Sequence, residues 1–167
     1  MEFEKEIFKK KDFTEESFKE MSFIDCIFDG CNLSNIDLEN AQIQDVVFKN
    51  CKILGLNFSK CNKLMMRFSF EDSLISMCNF AMLNLKGFSF ENCQVKDCDF
   101  LNTNLTKVSF DNSDLEGSIF QGSNLSFTSF RNSINYSIDP NQNTLKKTKF
   151  SMPEVVNLLN VFDIEIE

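Results

Sequence analysis

The chain has 167 residues, of which 43% are hydrophobic, and a formal net charge of −8. This length predicts one domain, and the acidic balance argues against direct nucleic-acid binding, which relies on Lys and Arg at the phosphates. No apolar run approaches the ~18 residues that a membrane span needs. The charged start, Met1 to Lys11, lacks the apolar core of a signal peptide. We therefore expect a cytoplasmic protein that binds neither membranes nor nucleic acid.

A large apolar residue, which we call the centre, recurs at every fifth position from the N-terminus. A step of five advances ~500° around a helix and alternates faces along a strand, so neither element explains it. A chain that turns a corner every five residues does, which indicates a solenoid. Residues 1–20 lack small and corner residues, and we expect an irregular first coil there. The centres are Phe3, Phe8, Phe13, Phe18, Phe23, Phe28, Leu33, Leu38, Ile43, Phe48, Ile53 and Phe58.

The repeat slips by two residues between Phe58 and Phe70. Continuing the first phase would place Lys63 at a centre, and burying an unpaired ammonium is very unfavourable. We therefore expect Met65 at a centre and a two-residue bulge within residues 59–64. The bulge is either a tolerated corner insertion or a loop that contacts a partner.

The second phase is the most regular part of the chain. Mostly small residues stand two before the centres, and Asn, Asp and Gly recur at the corners, as tight turns require. All seven Cys stand at the small inward position, so we expect reduced packing residues. The expected aromatic core is Phe70, Phe80, Phe90, Phe100, Phe110, Phe120 and Phe130.

The pattern degrades after Phe130 and changes period after Phe150. Ser151 and Glu154 have the spacing of a helix capping box, apolar residues follow at helical spacing, and Ile164 and Ile166 alternate with acids as in a strand. This tail either caps the last coil or also pairs two chains, and we prefer pairing. The expected homodimer interface is Val155, Leu158, Leu159, Phe162, Ile164 and Ile166.

Segments such as Ser113-Asp114-Leu115-Glu116-Gly117 resemble the repeat unit of pentapeptide repeat proteins. The resemblance implies an all-β solenoid, a right-handed quadrilateral β-helix with four pentapeptides per coil, over residues 1–150. Residues 151–167 would form a helix and strand that cap the solenoid and join two chains. At ~4.8 Å per coil, roughly seven and a half coils make a rod of about 35 Å. The tail, Phe150 to Glu167, resembles the end of Qnr-type quinolone-resistance proteins, where such elements join two coils tail to tail.

The sequence has no His, no phosphate-binding loop and no nucleophile–base pair, so we expect a non-enzyme without cofactor or metal. On a twenty-residue coil Glu71, Glu91 and Asp111 stack in one column, which continues across the slip to Lys49 and Asp29. The column serves either solubility or, as the resemblance implies, DNA mimicry. In the second case Asp29, Glu71, Glu91 and Asp111 would bind a type II topoisomerase (DNA gyrase or topoisomerase IV) and protect it from quinolones. The alternative is a structural or protein-interaction rod with an immunity or regulatory role.

Overall fold

A computed structural model describes residues 1–166 and shows a parallel β-solenoid of about 7 turns. Phe3 pairs with Phe23 and Phe8 with Phe28, each twenty residues on. Across the slip the interval becomes twenty-two, and Phe48 pairs with Phe70. These intervals confirm the expected solenoid with four pentapeptides in each coil. No helix in this part of the chain is long and apolar enough to cross a membrane.

The strands are two to four residues long because the chain turns after each one. Two 3₁₀ helices, η1 (Phe58–Lys60) and η2 (Glu154–Phe162), interrupt and end the coils. The described strands are β1 (Glu2–Glu4), β2 (Ile7–Lys9), β3 (Ser22–Ile24), β4 (Ile27–Asp29), β5 (Asn32–Ser34), β6 (Gln42–Gln44), β7 (Val46–Lys49), β8 (Lys52–Leu54), β9 (Phe68–Glu71), β10 (Leu74–Ser76), β11 (Ser89–Glu91), β12 (Gln94–Lys96), β13 (Ser129–Phe130) and β14 (Lys149–Phe150).

The rod has four faces. The first face holds β1, β3 and β6 and continues as single bridges from Asn84 to Asn104, Asn124 and Thr144. The second face holds β2, β4, β7, β9 and β11, followed by β13 and β14, and the third holds β5, β8, β10 and β12. The fourth face is built from single bridges, such as Asn79 to Asp99 and Asp99 to Ile119.

Each corner places one residue at positive φ. Asp72, Asn92 and Gly117 have φ of 48°, 54° and 73°. Gly, Asn and Asp tolerate this left-handed region best, which explains their five-residue recurrence. Met77 and Met82 adopt the same conformation, with φ of 53° and 58°, although their side chains do not favour it.

The core consists of two Phe columns on opposite faces. On the second face Phe70, Phe90, Phe110 and Phe130 stack with ring centroids 5.0–5.2 Å apart. On the fourth face Phe80, Phe100 and Phe120 stack at 5.0 and 5.1 Å. Rings of one column meet the other edge-on, as Phe110 meets Phe120 at 5.7 Å and 87°. Aromatic pairs favour both geometries, and aliphatic residues fill the other two faces.

The small inward residues are hydrogen-bonded between coils. The Ser113 hydroxyl donates to the Phe90 carbonyl at 2.7 Å and accepts from the Cys93 amide at 2.9 Å. Thr103, Ser118 and Ser123 donate in the same way to the coil beneath. The hydroxyls of these four residues therefore have partners, and each of these hydrogen bonds links two coils.

The first coil is regular, so the expected irregularity was wrong. Phe8 stacks on Phe28 at 4.7 Å, and Lys5 and Glu15 hold the corner conformation, with φ of 55° and 59°. Pairing with the second coil imposes this geometry, because first-coil amides such as those of Lys5 and Lys10 donate to carbonyls of the coil above.

The expected place of Met65 was also wrong. Met65 is 63% exposed and lies at a corner with φ of 58°. The amide of Asn62 still bonds the coil beneath, so the extra residues follow it, in a loop around Lys63 to Met66 that overlaps the expected bulge at residues 59–64. The ladder resumes where the Arg67 amide donates to the Ile43 carbonyl at 2.9 Å. Phe68 and Phe70 are both buried on the second face, and the chain before them therefore bulges outward.

The last full coil is irregular, and Asn135 and Pro140 are not buried at its centres. Tyr136 and Ile138 are buried instead, and Asn135 turns a corner with φ of 58°. Ile119 consequently pairs with Ser137, only eighteen residues on. Leu145 and Phe150 then rejoin the core.

Candidate protein-interaction surfaces

The interior leaves little space for a ligand. A void among Phe18, Phe28, Phe48 and their neighbours has a volume of about 10 Å³, the lower limit of the space that one water molecule needs. Among residues 1–166 no group of three or more Cys, Asp or Glu side chains is placed to hold a metal ion. Chemistry available to this chain therefore lies on its surface.

The predicted acidic column lies on the second face. Glu71 pairs directly with Glu91, and the Asn92 amide bonds the Asp111 carbonyl of the next coil. Asp29 is separated from these three residues by Lys49, since the column runs from Asp29 to Lys49 to Glu71. We call Glu71, Glu91 and Asp111 the acidic ridge.

Cations flank the acidic ridge at both ends. Lys49 Nζ lies 3.5 Å from Glu71 Oε2, and Arg131 Nε lies 3.7 Å from Asp111 Oδ2. Exposed ion pairs of this kind contribute at most about 1 kcal/mol. They do, however, confine the unbroken negative charge of this column to three coils.

The seven cysteines are buried and free. Burial raises the pKa of the Cys51 thiol to about 11 and the pKa values of the Cys61 and Cys93 thiols to about 12. The pKa of Cys98 is raised by a hydrogen bond with the Cys78 thiol and by burial. Because the thiolate is the reactive form, these groups are poor nucleophiles in the folded chain.

The C-terminal cap, residues 151–166, is attached by two polar contacts. Ser151 Oγ accepts a hydrogen bond from the Asn132 amide at 3.1 Å, and Glu154 Oε1 accepts one from the Asn135 amide at 2.8 Å. The expected capping box was therefore wrong. Both side chains bind the preceding coil, where these corner amides need acceptors. The predicted helix is present as η2.

Beneath the cap, Tyr136 is buried and its hydroxyl has no hydrogen-bond partner among the described residues. Burial, together with the nearby Glu154 carboxylate, raises the pKa of Tyr136 to about 12. This phenol therefore stays neutral and serves to fill the end of the core.

The outer side of the cap is apolar and exposed. Of the predicted interface residues, Val155 and Leu158 are half-buried, and Leu158 packs on the core. Residues 163–166 form no strand within this single chain, contrary to the expected terminal strand, and Glu167 lies outside the described residues. One exposed apolar side chain of the cap, Val161, was missed by the helical pattern. The exposed apolar side chains of the cap are Met152, Leu159, Val161, Phe162, Ile164 and Ile166.

A basic surface on the first face was missed by the sequence reasoning. It contains Lys63, Arg67, Lys86, Lys107, Lys146 and Lys147, all exposed. The clustering of these cations can be read from the sequence, but only when residues are assigned to faces with a period of twenty. The position of the two-residue slip must also be known. We call these six residues the basic face.

Comparisons with known proteins agree on the fold. A family model described as pentapeptide repeat region matches residues 1–69 and 45–118. No curated protein matches the sequence. Among solved structures, HetL from the cyanobacterium Nostoc, a pentapeptide repeat protein involved in heterocyst differentiation regulation, superposes with a TM-score of 0.64 at 11% identity, covering 89% of this chain and 84% of HetL.

Two other structures are less similar. QnrB1, a plasmid-mediated fluoroquinolone resistance protein, aligns at 16% identity over 100% of both chains with a TM-score of 0.39. A pentapeptide repeat protein from the thylakoid lumen of Arabidopsis thaliana aligns at 20% identity over 71% of this chain and 68% of its own, also with a TM-score of 0.39. Neither superposition is close enough to support an inference.

Proposed function

The chain belongs to the pentapeptide repeat family, whose members are structural or protein-interaction proteins rather than typical enzymes, and on this premise we propose that it is a dimeric rod that binds another protein. One observation carries the proposal. The interior is filled by hydrocarbon and by hydrogen-bonded Ser and Thr hydroxyls, while the exposed apolar groups concentrate in the cap. Exposed apolar clusters of this kind are typical of protein interfaces.

The cap is the proposed dimer interface. Its exposed Leu159, Val161 and Phe162 would meet the same residues of a second chain, since a two-fold interface is self-complementary. Residues 164–166, which form no strand within the single chain, could pair across that axis. The cap lies at one end of the rod, so the dimer would be tail to tail.

Sedimentation of Leu159→Asp and Phe162→Asp tests the interface. We expect both variants to be monomers, because a charge would be buried without a partner. Ile119→Asp is the matched control, since Ile119 is an equally exposed apolar residue on the fourth face. A monomeric unmutated protein at micromolar concentration, or an undisturbed dimer in both cap variants, contradicts the proposal.

A type II topoisomerase is the second candidate partner, favoured by the acidic ridge and by the Qnr-like tail. The ridge would imitate DNA phosphates, bind gyrase or topoisomerase IV, and protect that enzyme from quinolones. Asp29 would contribute only weakly because Lys49 separates it from the ridge. The seven buried free thiols support a reducing compartment, and we place the complex in the cytoplasm.

Titration into a gyrase supercoiling reaction, with and without a fluoroquinolone, tests this candidate. Reversing the ridge (Glu71→Lys, Glu91→Lys and Asp111→Lys) should abolish a salt-sensitive complex. A matched control reverses three acids of the first coil, Glu15, Glu16 and Glu20. Absence of any effect on supercoiling, of drug protection and of complex formation would exclude the topoisomerase and leave the dimeric rod.

A further inference from the structure

The basic face is a local reversal of the chain's overall charge. Five successive segments of the first face, residues 61–67, 83–87, 103–107, 123–127 and 143–147, carry six Lys or Arg and no Asp or Glu. The three earlier segments of the same face, residues 1–5, 21–25 and 41–45, carry four acids and one Lys. The net charge of −8 therefore conceals a cationic surface, which is interrupted only at the uncharged segment 123–127.

Most of these cations are free of intramolecular ion pairs. Within residues 1–166, the ion pair of the basic face joins Arg67 Nε to Asp45 Oδ1 at 3.5 Å. Lys147 Nζ lies 5.8 Å from the centre of the Phe127 ring. In the described part of the chain, Lys63, Lys86, Lys107 and Lys146 have no carboxylate within 4.0 Å. These ammonium groups are therefore available to the carboxylates of a partner.

Apolar side chains border the basic face. Leu64 and Met82 are 73% and 72% exposed, and Phe127 is exposed at the corner between the first and second faces. Beside Lys63 there is a cleft of about 270 Å³, lined by Met65, Met66, Met82 and Leu83 as well. A cationic surface beside a cleft lined mostly by Met and Leu side chains fits a partner that carries acidic and apolar side chains together.

The spacing of the cations favours a helix over an extended peptide. The five coils of the basic face span about 19 Å at ~4.8 Å per coil. A helix laid along the rod presents one row of side chains every ~5.4 Å, close to the coil spacing, and about 13 residues cover the span. An extended peptide presents same-side residues every ~6.7 Å, a spacing that differs more from the coil spacing than that of the helix does.

We propose that the basic face binds an acidic amphipathic helix of a partner protein, with carboxylates along Lys86, Lys107 and Lys146 and an apolar side chain in the cleft beside Lys63. A nucleic acid would satisfy the cations equally well. Its phosphate backbone, however, presents charge and no apolar group to Leu64 or Met82. This site lies on a different face from the acidic ridge and does not depend on it.

Fluorescence anisotropy with labelled peptides tests the site in the full-length protein. The probe is a helical peptide of about 15 residues with Glu at i, i+4, i+7 and i+11 and Leu at i+3 and i+8. A second peptide has the same composition in scrambled order, and a duplex DNA of similar length is the third probe. Lys86→Glu with Lys146→Glu should weaken binding of the helical peptide at least about tenfold.

The matched control reverses two exposed lysines elsewhere, Lys52→Glu with Lys60→Glu, and should leave binding within about twofold. Lys86, Lys146, Lys52 and Lys60 are all exposed, and circular dichroism verifies that both double variants fold. Equal binding of the scrambled peptide, tighter binding of the DNA, or no binding of the helical peptide would each overturn the proposal.

Discussion

The regular coils from Phe70 to Phe130 and the C-terminal cap are built from similar apolar residues but bury them to opposite extents. Phe110 is 0% exposed, whereas Phe162 is 51% exposed. Phe110 lies between Phe90 and Phe130 at 5.0 and 5.2 Å, because the chain returns to the same face after each coil. Within residues 1–166 nothing packs on the outer side of the cap. In a solenoid the neighbouring coil supplies burial, so the terminal element has to obtain it from elsewhere.

Truncating one ring in each region gives the largest expected difference. Phe110→Ala should lower the free energy of unfolding by ~3–5 kcal/mol, because it leaves a cavity between two stacked rings. Phe162→Ala should cost less than about 1 kcal/mol in the monomer, since half of the ring is already in water. Denaturant melts at a concentration that keeps the chain monomeric measure both. Equal losses would remove the distinction between the two regions.

The stability of the coils and that of the cap should also differ in their response to alkaline pH. The coils contain all seven cysteines, which are buried, and residues 151–166 contain none. The pKa values of Cys51 and Cys93 rise from 9.0 to about 11 and about 12 on folding. A raised pKa means that the thiol's contribution to stability is complete below about pH 9 and is lost as the pH rises toward 11–12.

Melts between pH 8 and 11 should therefore show falling stability. Cys93→Ser should reduce the fall, and Ser113 already occupies the equivalent position one coil above. A stability that is constant across this range would contradict the assigned burial. Rapid labelling of several thiols in the native protein at neutral pH would do so as well.

Two corner glycines differ in what a methyl group would meet. Gly117 has φ of 73°, and in Gly117→Ala the added Cβ would contact the Asp97 carboxylate. In Gly87→Ala nothing lies within 4 Å of the added Cβ. We expect a loss of about 2 kcal/mol at Gly117, from backbone strain and contact, and about 1 kcal/mol at Gly87, from strain alone. Thermal melts of the two variants measure the difference, and a larger loss at Gly87 would contradict it.

The smallest expected effect is a gain in stability at a corner that carries Met in place of Asn, Asp or Gly. Met82 has φ of 58° and is 72% exposed, so its side chain adds strain and little packing. Met82→Asn should stabilise the chain by about 0.5 kcal/mol, because Asn tolerates the left-handed region better. Asn102 already holds the equivalent corner one coil later, with φ of 51°. A loss of stability would show that Met82 packs usefully in its cleft.

The five-residue period was sufficient to predict the centres of the regular coils and the corner positions. It was insufficient at the slip, because it placed Met65 at a centre, whereas Met65 is exposed at a corner and the ladder resumes where Phe68 pairs with Val46. It was also insufficient at Ser151 and Glu154, whose local spacing suggests a capping box. Their actual partners, the Asn132 and Asn135 amides, lie nineteen residues earlier.

By itself the sequence determined the solenoid, because a large residue at every fifth position and Asn, Asp or Gly at the corners are compatible with no ordinary helix or strand. Tertiary structure decided which side chains become neighbours across coils. The two-residue slip shifts every later residue relative to the earlier ones, so Lys49 meets Glu71 and Asp45 meets Arg67. The acidic ridge, the basic face and the exposed cap all depend on this twenty-residue adjacency, which local sequence does not encode.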